Sequence, residues 1–291
     1  MTARDFCSRV SQAEEGVFPG TAVRAEVYVL LPVDKRLWGS NELNSGWAAP
    51  VELEAIRRSR RGGVTTRLYN PPRVAENRRI LVHASPTASA ASRDTAADMI
   101  QVLAGKGWAT EPVAGPRLAI CTQGTRDRCC AKWGFAVYRE ASRLWREGHF
   151  PFEPLECSHL GGDRYAATGI VFPSGNMYGH LDRVDLRALG QAEIDGAIFP
   201  GHYRGRVFDG ELTQIVRAGL AREGLSVDAT SPLEILNPEA APEPLTVAAG
   251  GSLFKVFLGM VESDFYGSCN ALAQARVSRA RRIVYAGAER V

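Results

Sequence analysis

The chain has 291 residues, 45% of them apolar and 23% charged, and a formal charge of +3. That is an ordinary globular balance, with length enough for two domains that each bury a core. A charge so near zero gives no electrostatic reason for a nucleic-acid or membrane partner, and neither is expected.

Residues 27–31 form a short apolar run of buried-strand type, and the charged residues 50–61 suit a helix. Residues 64–69 and 79–83 read as further strands, and residues 92–104 as a helix. This alternation predicts an N-terminal α/β domain over residues 1–115, ending at Gly115-Pro116. A second domain over 116–230 opens with a strand, 117–120, that runs into Cys121. Residues 131–147 carry Val137, Ala141, Leu144 and Trp145 at helical spacing, with Gly148 as a stop. Residues 154–157 form a short strand, and 168–172 and 176–181 flank Pro173-Ser-Gly175 as a β-hairpin. Strand, helix, strand and hairpin in that order suit a thioredoxin-like layout. Leu212, Ile215, Val216 and Leu220 mark another amphipathic helix. Residues 231–245 read as a connector rich in Pro and Glu, leading to strands at 253–258 and 282–285 in an extension over 231–291. The predicted fold class is therefore α/β: two thioredoxin-like domains in tandem with a C-terminal strand-containing extension. The arginine runs at 57–58, 60–61 and 281–282 are read as solvated faces.

No apolar run approaches the roughly 18–20 residues that span a bilayer, and residues 1–7 lack the apolar stretch of a signal peptide. A cytoplasmic location is expected, and there six cysteines point to metal or redox use rather than a disulfide framework. Two segments concentrate the chemistry. Cys121-Thr-Gln-Gly-Thr-Arg-Asp-Arg-Cys-Cys130 is the first, and Cys157-Ser-His-Leu-Gly-Gly-Asp163 is the second. They offer thiolates, an imidazole and a carboxylate on glycine-containing turns that one fold can bring together. Thiolate suits iron–sulfur clusters or zinc, imidazole suits zinc and other metals, and spacing alone does not choose among them. No glycine-rich nucleotide loop and no Gly-x-Ser-x-Gly elbow is present.

With these segments the chain resembles the sucrase/ferredoxin-like family. Further resemblance lies in Phe6-Cys-Ser8, Gly20-Thr-Ala22, Trp38-Gly39, Arg164-Tyr-Ala166, Pro173-x-Gly175, Tyr178-Gly179 and Ser268-Cys269. The resemblance implies a thioredoxin-like ferredoxin holding a [2Fe–2S] cluster on two cysteines and two histidines of an His-x-x-x-His element. Cys121, Cys130 and His159 match that pattern, whereas Asp163 stands where the second histidine belongs. Gln123 and His180 also depart from it. Three outcomes follow: Asp163 is the fourth ligand, Cys157 replaces it, or the cluster is lost. The function expected is a [2Fe–2S] electron carrier with an unidentified redox partner and no catalytic residues of its own. A cluster-less binding module and a zinc protein with Cys121, Cys130, His159 and Asp163 as ligands are the alternatives. Cys129 is read as a packed neighbour, Arg126 and Asp127 as turn-capping residues, and Cys7 and Cys269 as structural because they lack a spacing partner. His180 is read as an ordinary surface histidine, and His83, His149 and His202 belong to no constellation.

Overall fold

The computed structural model describes residues 5–14, 19–40, 46–61, 63–71, 79–84, 89–93, 111–112, 115–225, 228 and 230–291. Helix α1 (Cys7–Glu14) leads to β1 (Val27–Pro32), α2 (Pro50–Arg61), β2 (Val64–Tyr69), β3 (Arg79–Ala84), β4 (Ser89–Arg93) and β5 (Glu111–Pro112). Then come β6 (Arg117–Cys121), a π-turn (Cys130–Gly134), α3 (Phe135–Arg146), β7 (Glu153–Cys157), β8 (Gly169–Phe172) and β9 (Asn176–Tyr178). After α4 (Leu186–Ile194), β10 (Tyr203–Arg206) and α5 (Glu211–Arg222), the chain ends in β11 (Leu233–Ile235), β12 (Leu245–Ala249), β13 (Ser252–Phe265), α6 (Cys269–Ala273) and β14 (Ser278–Arg290).

The first ten strands form one sheet in the order β10-β9-β8-β6-β7-β2-β1-β3-β4-β5. Each half repeats one pattern. In the first, β1 runs parallel to β2 across the α2 crossover and antiparallel to β3, which pairs with β4. In the second, β6 runs parallel to β7 across the α3 crossover and antiparallel to β8, which pairs with β9. The order of strand, helix, strand and hairpin expected of the second half is thus present there, and the first half shows it too.

The expected separation is not. The sheet continues through the Gly115-Pro116 boundary because β2 and β7, the second strand of each half, pair antiparallel at Tyr69 and Cys157. Ser158 ties this seam, its N–H donating to Leu68 O at 2.8 Å and its Oγ accepting from Leu68 N at 2.9 Å. Asn70 N adds a bond to Glu156 O at 3.0 Å. A strand edge otherwise left unpaired finds its partner in the other half.

Strands β6 and β8 read as near-continuous apolar runs because both faces are covered. Alternation along β6 sorts its side chains. Leu118 and Ile120 meet Val137, Ala141 and Leu144 of α3, while Ala119 and Cys121 face the core beneath α1. Trp145, expected on the buried stripe of α3, lies outside it and is 45% exposed. The expected helix at 92–104 lies outside the described residues except for 92–93, which end β4.

The C-terminal extension departs from the reading of a connector with two short strands. β11 lies within the expected connector and pairs with β12, which begins at the connector's last residue, and β13 and β14 are ribbons of 14 and 13 residues. This four-stranded sheet packs on α5, where Val216 and Leu220 meet Leu245, Val247, Phe254 and Val256. Arg57, Arg58, Arg60 and Arg61 are solvated, but Arg282 donates to Tyr165 Oη at 3.0 Å and lies over the Phe265 ring.

Candidate metal centre

Cys121 is the last residue of β6 and Cys157 the last of β7, at the carboxyl ends of two parallel strands, where open α/β sheets place ligand sites. In the first half the corresponding end pair is Pro32 and Tyr69, so only the second half carries sulfur there. The loop after β6 folds back through the π-turn, so that Gly134 lies against the Cys121 carbonyl. A Cβ at Gly134 would overlap that oxygen. This close approach brings Cys130 beside Cys121.

The loop after β7 turns at Gly161 and Gly162, both in the left-handed region at φ 91° and 76°. Arg204 holds that turn from below. Fully buried, it donates to Gly161 O at 2.9 Å, Thr21 O at 2.6 Å and Thr21 Oγ1 at 3.1 Å. Gln123 ties the two loops together, its Oε1 accepting from His159 N at 2.6 Å while its Nε2 donates to Gly39 O.

The donor atoms of Cys121, Cys130 and His159 consequently lie within 4.8 Å of one another. Asp163 sits at their edge, its Oδ1 3.2 Å from His159 Nδ1 and 3.9 Å from Cys130 Sγ, with Arg126 Nε 3.7 Å from Oδ2. Three of the four site residues expected from the sequence, Cys121, Cys130 and His159, have their donor atoms gathered, and Asp163 lies beside them. Cys157 is fully buried but is not one of the gathered donors.

The electrostatics favour one anion in this group. Cys130 donates toward Cys121, which, with His159 close by, holds the Cys121 thiol well below its ordinary value and pushes Cys130 well above it. Burial raises the Asp163 carboxyl, against the pull of His159 and Arg126. His159 Nδ1 is buried and makes no hydrogen bond of acceptable geometry among the described residues. Asp163 Oδ1 lies 3.2 Å from it, and an imidazole so placed beside two thiols fits a metal centre, whose histidine ligands commonly hold a carboxylate on the other ring nitrogen.

The sucrase/ferredoxin-like family matches residues 18–205, well over half of the chain, including both loops of this centre. The chain belongs to that family. No curated protein and no solved structure matches it. Among the described residues of this sucrase/ferredoxin-like protein, no helix is long and apolar enough to cross a membrane.

A second cluster was not foreseen. Cys7 of α1, Cys129 of the first loop and Cys269 of α6 meet with Asp127, all four buried. Cys7 and Cys269, read as lacking partners, therefore partner each other and Cys129 across the chain's length. The only hints were the doubled Cys129-Cys130 and the resemblance carried by Phe6-Cys-Ser8 and Ser268-Cys269. Asp127 does cap its turn, accepting from Cys129 N at 2.8 Å, but it also accepts from Cys269 N at 2.8 Å.

His180 corrects another reading, since it is buried rather than on the surface. It adopts a left-handed conformation at φ 49°, and its N–H donates to Tyr165 O at 2.8 Å. That turn folds its ring under the 163–167 segment, with Nδ1 3.2 Å from Ala166 O. Burial depresses its pKa to about 4.

Proposed function

We propose that this protein is a [2Fe–2S] electron carrier whose cluster is held by Cys121, Cys130, His159 and Asp163. The observation that carries the reading is the convergence of two buried thiols and the His159 imidazole at the ends of two parallel strands. A bound cluster supplies a one-electron couple. The chain's own residues do the rest. Cys121 and Cys130 offer sulfur from the buried side, and Gln123 and Arg204 fix the loop that carries His159. The surrounding apolar side chains, Leu160, Ala166 and Ile170 among them, exclude water.

His159, with 19% of its side chain exposed, is the outlet. It lines a cavity of about 310 Å³ whose wall also carries Arg60, Arg67 and Arg126. A redox partner with an acidic contact patch suits that rim. Each half of the sheet is read as a thioredoxin-like unit, the second spanning residues 116–230 and bearing the cluster. A cytoplasmic, reducing compartment suits this reading, since it keeps such thiols reduced.

Protein purified without oxygen should be red-brown and contain iron and sulfide. Cys121→Ser and Cys130→Ser should each lose most of both, while Cys7→Ser and Cys269→Ser should keep the iron. Full iron in both of the first two variants would sink the assignment. A second reading is a single zinc ion, favoured because the three donor atoms lie within 4.8 Å of one another, close enough for one tetrahedral ion. A colourless protein whose zinc follows Cys121 and Cys130 would establish that reading instead.

A further inference from the structure

We propose that Cys7, Cys129 and Cys269, with the Asp127 carboxylate, form a second metal site that takes a thiophilic divalent cation of the zinc class. This inference does not depend on what the first centre holds.

The geometry of the sulfurs argues for it. The three Sγ–Sγ separations are 3.6 Å for Cys7 and Cys129, 3.2 Å for Cys129 and Cys269, and 3.7 Å for Cys7 and Cys269. Zinc at about 2.3 Å from each sulfur of a tetrahedron sets those edges near 3.8 Å. The triangle is therefore already close to one face of such a site. Asp127 supplies the fourth donor, with a carboxylate oxygen within 4.8 Å of every sulfur.

The environment argues for it as well. Cys7 and Cys129 are fully buried, Cys269 is 3% exposed and Asp127 is 5% exposed. Asp127 makes no ion pair among the described residues, although it is bonded to Cys129 and Cys269, which belong to an apolar cluster with Leu272, Phe6, Val10 and Trp133. Buried carboxylates are normally paired with a cation or coordinate a metal. Its two backbone bonds, from Cys129 N and Cys269 N, orient both oxygens and leave lone pairs for a metal, as outer bonds to ligating carboxylates do elsewhere.

The donors also come from three places that nothing else joins covalently. They are α1 near the start of the chain, the loop after β6, and α6 between the two long ribbon strands. A metal here is a clasp. It holds both ends of the chain on the loop whose next residue, Cys130, belongs to the first centre. Cys7 and Cys269 lie outside the stretch of family match, which covers only Asp127 and Cys129 of the four donors.

The test uses the full chain, purified under reducing conditions and dialysed against a mild chelator, with zinc and iron measured separately. Roughly one zinc per chain is expected in the wild type. Cys269→Ser and Cys7→Ser should each lower retained zinc at least tenfold, while a Cys121→Ser/Cys130→Ser double variant should retain it. Iron lost from the double variant alone, with zinc intact, separates the two centres. Zinc unaffected by Cys7→Ser and Cys269→Ser, or a double variant that retains none, overturns the proposal.

Because Cys269→Ser can fail to fold, a second measurement uses the unaltered cysteines of the clasp. Cobalt(II) added to the zinc-free double variant should give thiolate-to-cobalt charge-transfer absorption and a tetrahedral visible spectrum, saturating at a single equivalent. Absence of those bands, with three freely alkylated thiols or a Cys129–Cys269 disulfide in the intact mass, overturns it too.

Discussion

Cys121, Cys130, His159 and Asp163 come from two loops at neighbouring strand ends, whereas Cys7, Cys129 and Cys269 are drawn from separations of 122, 140 and 262 residues. Both groups are buried, yet different things assemble them. The first depends on local turns, namely the close approach at Gly134 and the left-handed Gly161-Gly162. The second depends on the docking of α1 and α6 against the loop after β6. Adjacent residues, Cys129 and Cys130, belong one to each group, so the loop that carries them is shared. A perturbation of a local turn should therefore spare the remote group unless it moves that loop.

The largest effect is expected at Arg204, which serves only the local group. Arg204→Met removes three hydrogen bonds, to the part-buried Gly161 O, Thr21 O and Thr21 Oγ1, each of about 1–3 kcal/mol for a bond to a charged donor. Loss of about 4 kcal/mol in denaturant unfolding is expected, along with loss of iron. Alkylation protection of Cys7 and Cys269 should persist in the folded fraction. Equal exposure of both groups would erase the distinction between them.

Gly134→Ala attacks the shared loop instead. Its new Cβ meets backbone, the Cys121 carbonyl, which cannot swing aside as a flexible side chain would. About 3 kcal/mol of destabilisation is expected, at the upper end of ordinary overpacking. Here both groups should fail together, read as loss of iron and simultaneous alkylation of all buried thiols. Retention of iron would mean that the π-turn can shift without moving Cys130.

The unequal legibility of the two groups has the same origin. Cys121, Cys130, His159 and Asp163 lie within 43 residues of sequence, so spacing and glycine content announce them before any fold is known. Cys7, Cys129 and Cys269 become neighbours only through tertiary packing, which no periodicity encodes. Strand positions such as β2 (Val64–Tyr69) were legible because β-branched residues stand between turn signals. The β2–β7 seam was not, because it rests on a single bridging pair and the Ser158 hydroxyl. α1 and α4 were not foreseen either. Each is short, and α4 buries only Leu186, Leu189 and Gly190, too few positions to set a clear period.

His180 gives a smaller effect that belongs to the fold around the local group. Burial holds its folded-state pKa at about 4, against 6.5 in the unfolded chain. Its neutral form is therefore the one that fits, and the unfolded chain binds the extra proton between those values. Stability from this residue is complete above about pH 6.5 and is lost as pH falls toward 4. At about 1.4 kcal/mol per unit, the loss is about 3 kcal/mol by pH 4. Burial raises the Asp127, Asp163 and Glu193 carboxyls, which acts with the opposite sign, so the measurement is a difference. Comparing wild type with His180→Asn, whose side chain tolerates the left-handed backbone, cancels those carboxyls. A gap between the two unfolding free energies that stays constant from pH 7 to pH 4 would contradict the assignment.

Asp163 sharpens the comparison most finely, because the change is one of charge rather than of folding. Its Oδ1 lies 3.2 Å from His159 Nδ1 and 3.9 Å from Cys130 Sγ, the contacts of a donor at the edge of the local group. If it is the fourth ligand, Asp163→His puts a neutral imidazole in place of an anionic carboxylate. The reduced cluster, one electron more negative, is then penalised less, and the reduction potential should rise with iron content unchanged. Asp163→Ala should make the cluster labile under this reading, and Cys157→Ser should change little, since Asp163 and not Cys157 contacts His159 and Cys130. Zinc in the remote group should be indifferent to all three, since Asp127, not Asp163, serves it. An Asp163→Ala protein with an unchanged cluster would remove this carboxylate from the metal and leave it the lesser task of orienting His159 through Nδ1.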